Sequence, residues 1–200
     1  NAQGKNVVTD IDYKTIMSYA NEKGVNWLAW SWYGNGAEED LAKGTLDLVD
    51  SSNSLKSPWG TDVFAEISSS AKKLSFSGSG NSGNSGNTDN GNSGNTDSGN
   101  SGNSGSSSSN GGMYVSGSNL YTASGQEVIM RGVNLGHTFF KDRSSTDLQK
   151  ISDLGANAVR LVLSNGRYAA NGWQTNKDTA SEIEPLVKFC KANGMVAVLD

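Results

Sequence analysis

From Ser77 to Gly112 the chain contains only Gly, Ser, Asn, Thr and Asp. Its middle reads NSGNSGNTDNGNSGNTDSGNSGNSG and has no apolar side chain. Such a segment has nothing to bury against the entropy of ordering its backbone. Its Gly-Asn-Ser rhythm is not collagen-like, because the period breaks and proline is absent. As a random coil of this length it reaches about 5–6 Å × √n, or roughly 30–36 Å. The chain is therefore expected to divide into a folded part over residues 1–76, a disordered Gly/Ser/Asn linker over 77–112, and a folded part over 113–200. Each flank is long enough for a modest core and short enough to be a piece of something larger.

The formal net charge is −4. It divides as −3 over 1–76 (seven Lys/Arg against ten Asp/Glu), −2 over the linker (Asp89 and Asp97) and +1 over 113–200 (nine against eight). No basic stripe results, which argues against a nucleic-acid partner. No apolar run approaches the length of a membrane span. Cys190 is the only cysteine and His137 the only histidine. Cys190 falls on the apolar side of a helical pattern, as a buried thiol does. One histidine leaves a Ser/His/Asp triad or a His-rich metal site without support. Asn1 is not an initiator Met, and Asp200 directly follows the strand-like MVAVL. Both ends read as cut, so the lack of a signal peptide carries no information.

The first flank reads as helix, strand, loop, helix. TDIDYKTIMSYANEKG sets Ile16, Met17 and Ala20 on one face, with Thr9, Asp10 or Asp12 as a cap and Gly24 as the stop. VNWLAWSW is too apolar for an exposed strand and predicts a buried strand of a parallel sheet. SPWGTDVFAEISSSAKKLS spaces Val63, Ile67 and Leu74 for a helix running to the linker. In the second flank, MYVSGSNLYTASGQEVIMRGVN predicts short strands between turns. Then follow helix (SSTDLQKISDLG, stop at Gly155), strand (NAVRLVL), loop, helix (SEIEPLVKFCKANG, stop at Gly194) and strand (MVAVL). Repeated helix-then-strand units with buried strands predict parallel β/α architecture.

In a β/α barrel the chemistry lies at the C-terminal strand ends. VNWLAWSWYGNG delivers Trp30, Trp32 and Tyr33 there, and flat aromatic faces suit the C–H faces of sugar rings. MRGVNLGHTFF delivers Arg131, Asn134 and His137. Arg131 and Arg160, inside apolar strands, each need a partner, because an unpaired buried charge is costly. A carboxylate is the natural one, and a guanidinium beside a carboxylate keeps it ionised. Glu38 and Glu39 sit on a Gly-flanked loop and read as solvated. Glu182 and Glu184 fall in the first turn of a helix, where negative charge favours the dipole.

YVSGSNLYTASGQEVIMRGVNLGHTFFKD with GANAVRLVLSNG resembles the start of bacterial family 5 glycoside hydrolases, especially their β-mannanase branch. TIMSYANEKGVNWLAWSWYGNG with LDLVD resembles the end of the same catalytic domain. The similar regions cover most of residues 10–60 and 113–200. The order is reversed, so the resemblance implies two tandem copies, with this chain spanning the end of one, the linker and the start of the next. A circular permutation is the other route to the same order. The implied fold is a (β/α)8 TIM barrel, present as two fragments, and β1,4-linked hexose polymers are the implied substrates. Family members use a retaining mechanism with two glutamates and no cofactor. In the family these follow the fourth strand and end the seventh, so both fall outside this chain. Arg160 matches the arginine that orients the nucleophile, Trp30 the sugar-stacking tryptophan after strand eight, and His137 a substrate-side histidine; Trp32, Arg131 and Asn134 join them as expected substrate contacts. Leu135 stands where His is common, and Phe139-Phe140 where Trp-Tyr is common.

The resemblance implies a secreted endo-β-1,4-mannanase. An endo-β-1,4-glucanase (cellulase) of the same family is the nearest alternative. A pair of noncatalytic carbohydrate-binding modules is the alternative from another class, although such modules are usually β-sandwiches. If the flanks meet, the sheet should have four parallel strands, ordered eight, one, two, three, with Trp30, Arg131 and Arg160 on one side.

Overall fold

The computed structural model describes residues 12–34, 46–76, 112–166 and 177–200. The expected linker and the loop carrying Glu38 and Glu39 lie outside the described residues, apart from Gly112 at the linker's edge.

In chain order the elements are α1 (Tyr13–Glu22), β1 (Trp27–Ala29), α2 (Trp59–Ser70), β2 (Tyr114–Ser116), β3 (Asn119–Tyr121), β4 (Arg131–Leu135), α3 (Ser144–Asp153), β5 (Ala158–Leu161), α4 (Ala180–Ala192) and β6 (Val196–Leu199). Strands β1, β4, β5 and β6 form one sheet in that order, and every pairing is parallel. This is an α/β fold, and the strand order is the one expected. Residues from opposite sides of the low-complexity segment pair directly: Trp27 with Arg131, Leu28 with Gly132, Ala29 with Val133. The antiparallel hairpin β2–β3 stands apart from this sheet.

The strand period of two divides the sheet's side chains between two clusters. Ala29, Val133, Leu135, Val159 and Leu161 turn to the helices and pack with Met17, Val63, Ile67, Leu148, Ile151, Leu186 and Cys190. Burying each of the larger aliphatic side chains stabilises the fold by about 1.5–3 kcal/mol. On the other face Ala158 and Val196 pack with Leu74 and Val128, and Leu28 and Leu120 lean on that smaller group. Gly132 lies between β1 and β5, where a Cβ would meet the Ala158 carbonyl oxygen at 1.8 Å. Only glycine lets the two backbones approach that closely.

Helix ends follow their local signals. Asp12 caps α1, accepting a 3.1 Å hydrogen bond from the Thr15 amide. Gly24, Gly155 and Gly194 follow α1, α3 and α4 with positive φ, as a residue at that position must. Thr179 and Glu182 form a reciprocal capping box at the start of α4.

Two expectations need correction. Ile16 is 59% exposed, so only Met17 and Ala20 of the predicted face are buried. Helix α2 stops at Ser70 rather than running on through Leu74. Ala71 turns extended, and the Leu74 amide donates to the Gly194 carbonyl. Leu74 therefore enters the second cluster as extended chain, where its burial serves the other face of the sheet.

Candidate substrate-binding site at the strand ends

The register sets Asn134 beside Arg160 and Arg160 beside Val198. Alternation then puts Trp30, Asn134, Arg160 and Asp200 on the face turned away from the helices, at the C-terminal ends of four neighbouring strands. A continuous polar chain joins Asn134, Arg160 and Asp200 to the backbone of β1. The Asn134 amide nitrogen donates to the carbonyls of Ala29 (2.9 Å) and Leu28 (3.3 Å). Its oxygen accepts from Arg160 Nη1 at 3.0 Å. Arg160 Nη2 in turn pairs with the Asp200 carboxylate. Asn134 is buried, whereas Trp30, the residue after β1, is 46% exposed.

Of the expected site residues, the structure thus brings together Trp30, Asn134 and Arg160. Arg160 has the carboxylate partner that its place in an apolar strand demands. Asp200 was missed as a partner, although its position two residues beyond Val198 places it on Arg160's face.

Arg131 does not join them. It is the first residue of β4, three positions before Asn134, and so lies at the other end and on the other face. No carboxylate pairs with it among the described residues. Its guanidinium donates to the carbonyls of Val25 (2.7 Å), Met130 (2.9 Å) and Ala20 (3.5 Å) and lies 5.5 Å from the centre of the Trp27 ring. Burial lowers its pKa, with Glu66 opposing. Positive charge at the C-terminal end of α1 complements the helix dipole. Arg131 therefore closes α1 onto the sheet and is not placed to touch a ligand.

Trp32 is also corrected. It is 0% exposed and meets Phe64 edge-on, with ring centres 5.8 Å apart. It is a core residue: its side chain packs in the helix-side cluster, while its amide still donates to the Asn134 carbonyl of β4 at 2.8 Å. His137 sits in a 3-10 turn directly after β4, and it too is buried. Its Nδ1 lies 2.8 Å from Ser144 Oγ, and that hydroxyl donates to the Phe140 carbonyl. The hydroxyl then accepts from Nδ1–H, so the imidazole is held as the Nδ1 tautomer. Burial lowers the His137 pKa, with Asp178 opposing, Lys141 assisting and Glu182 opposing. His137 fixes the turn and has no face open to substrate.

Beside this row lies a groove of about 580 Å³, lined among others by Phe139, Leu163, Asp178, Ile183, Leu199 and Asp200. Lys141 ties its wall together, reaching Asp178 at 2.8 Å and Glu182 at 3.1 Å. The Ser164 amide donates to the same aspartate at 2.7 Å. Burial alone would raise the Asp178 pKa, but Lys141, the Ser164 amide and Thr138 outweigh it and the net direction is down. Among the described residues no three His, Cys, Asp or Glu side chains cluster as a metal site, and no helix is long and apolar enough to cross a membrane.

Chemically, these strand ends offer a half-exposed aromatic ring and a guanidinium held on two sides. The first suits a pyranose ring, and the second can keep a carboxylate ionised.

Residues 121–200 match the family model for cellulase, glycosyl hydrolase family 5. A mannan endo-1,4-β-mannosidase of Salipaludibacillus agaradhaerens is 42% identical over 89 residues, covering 44% of this chain and 27% of that protein. A second mannosidase, from Cellvibrio japonicus, is 42% identical over 92 residues, covering 46% of this chain and 20% of the relative. A β-mannanase/endoglucanase A of Caldicellulosiruptor saccharolyticus is 34% identical over 68 residues, 34% of this chain and 5% of its own length. Among solved structures, the β-mannanase of Streptomyces thermolilacinus with mannohexaose is 34% identical, with a TM-score of 0.39, over 44% of this chain and 27% of that one. The chain thus spans about a quarter of the length of the curated mannosidases it matches. The resemblance to family 5 glycoside hydrolases and their mannanases is borne out for this part of the chain.

Proposed function

We propose that this chain belongs to a secreted polysaccharide-degrading enzyme, a retaining endo-β-1,4-mannanase on a (β/α)8 barrel. Residues 1–76 are the end of one catalytic domain, 77–112 the linker, and 113–200 the start of a second copy. The observation that carries the reading is the 42% identity to a mannan endo-1,4-β-mannosidase over 89 residues. The parallel order β1-β4-β5-β6 supports the barrel fold of this reading, being the order in which strands eight, one, two and three of a barrel neighbour each other. It fits paired β-sandwich modules poorly.

The mechanism assigned to the parent needs two carboxyl groups about 5–5.5 Å apart, one as nucleophile and one as acid/base. Both stand outside this chain. Two of the described glutamates near the candidate site have other work: Glu182 caps α4, and Glu184 pairs with Lys188 one turn on. Arg160 would hold the nucleophile ionised, and Trp30 would stack on a sugar ring. Cellulose is the second substrate reading, favoured by the similarity to a β-mannanase/endoglucanase.

The test is hydrolysis by the longer polypeptide that supplies the missing strands, compared with this chain alone. The longer protein should release β-configured products from mannan, faster than from cellulose, and the 200-residue chain should release none. Activity of the short chain that is lost on mutating one of its own glutamates would overturn the reading. So would a longer protein inert on both polymers.

A further inference from the structure

Arg160 is the residue through which this surface could act on a carboxylate, and its aim is set by two neighbours. Asp200 pairs with one terminal nitrogen and Asn134 accepts from the other. Asn134 is itself fixed, because its amide nitrogen donates to two backbone carbonyls of β1. One buried side chain therefore connects three strands: its own, the one bearing Arg160, and β1, which ends at Ala29 just before Trp30. The amide nitrogen and the amide oxygen are both engaged in this arrangement. The oxygen faces a cation and both donors face carbonyls, so the amide cannot flip without setting N–H against guanidinium and oxygen against carbonyl.

We propose that Asn134 is a positioning residue rather than a substrate contact: it fixes the orientation of the Arg160 guanidinium and locks it to the strand end carrying Trp30. What Arg160 serves rests on the hydrolase reading above; the linkage itself does not. An asparagine is suited to this place because it is neutral. An aspartate would accept from Arg160 but would lose both donors to β1 and compete for the cation's charge. An alanine would leave Arg160 with Asp200 alone, at an exposed edge where the remaining pair is weak.

The test uses the intact 200-residue chain labelled with ¹⁵N and reads the guanidinium signals of Arg160, identified by their loss in Arg160→Lys. The native chain should give separate, slowly exchanging Nη signals, because rotation about Cζ–Nη breaks a bond on each side. Asn134→Ala should collapse them to an averaged signal while most backbone amide peaks stay in place. Asn134→Asp should leave Arg160 restrained and shift the Trp30 indole signal instead. Asp200→Ala, at an exposed position, should loosen the other Nη. Unchanged Arg160 signals in a folded Asn134→Ala would overturn the proposal. If that variant does not fold, Asn134→Asp decides: an unmoved Trp30 signal overturns it, and a shifted one with Arg160 restrained supports it. No substrate enters this measurement, so its failure is distinct from failure of the hydrolysis assay. In the longer polypeptide, Asn134→Ala should lower kcat by roughly a hundredfold with little change in KM, the cost of misplacing a positioning group.

Discussion

Lys73 Nζ donates to the Ala156 carbonyl at 2.7 Å, linking the end of the first flank to the turn that starts β5 in the second. The same ammonium reaches the Ser152 carbonyl and hydroxyl at 3.3 and 3.2 Å. Burial lowers the Lys73 pKa, with Asp153 and Cys190 opposing, yet three oxygens satisfy its three donors. Close by, Asn157 Nδ2 donates to the carbonyls of Lys72 and Ile129, and its oxygen accepts from the Arg131 amide. Higher up, Asn53 Nδ2 donates to Asp147 at 2.8 Å. The two flanks are thus joined by specific polar contacts as well as by the β1–β4 pairing.

Two tryptophans two residues apart should behave oppositely. Trp32 is fully buried against Phe64, so Trp32→Ala should cost about 3–5 kcal/mol, as large aromatic truncations in cores do. Trp30 is 46% exposed, so Trp30→Ala should destabilise distinctly less than Trp32→Ala and, on the proposed mannanase reading, should weaken mannooligosaccharide binding by the longer polypeptide. Urea denaturation and calorimetric titration read the two effects. Equal destabilisation would contradict this division.

Gly132 should tolerate no side chain. A Cβ there would fall 1.8 Å from a backbone oxygen, which cannot move without opening β4 from β5. Gly132→Ala should destabilise by about 1–3 kcal/mol or more, as overpacking does, and chemical denaturation should show it. A variant as stable as the parent would mean that the strands do not approach this closely.

Glu182 predicts an acid transition at the start of α4. The Thr179 amide and hydroxyl, then Lys141, hold its carboxyl down to about 2 from an ordinary 4.5. A depressed folded pKa gives stability that is present above the unfolded value and is lost as pH falls through the folded one. The capping box should therefore hold at pH 5 and open progressively toward pH 2. Carboxyl ¹³C titration should place the Glu182 midpoint near the lower value; a midpoint near 4.5 would show that the box does not form in solution.

Much of this was legible from the residues. Continuous apolar runs gave the four parallel strands, and the glycines at 24, 155 and 194 gave three helix ends, because each signal is local. The demand for a partner to Arg160 also followed from burying a charge. The partner itself did not, since Asp200 and Asn134 reach it only through register. Arg131 and Trp32 were misplaced for one reason: motif position says which strand a residue belongs to, while its face and height depend on where the ladder starts. The 3-10 turn after β4 likewise buries His137, which a loop residue need not be.

The account rests most on the meeting of the two flanks in one sheet. A protease site inserted within residues 77–112 and cut to completion tests this directly by gel filtration under native conditions. The halves should elute together, with Trp27 and Arg131 amides still protected from exchange, because each half alone leaves a strand edge and an apolar face uncovered. Separation of the halves, or loss of protection at Trp27 and Arg131 in the uncut chain, would contradict it.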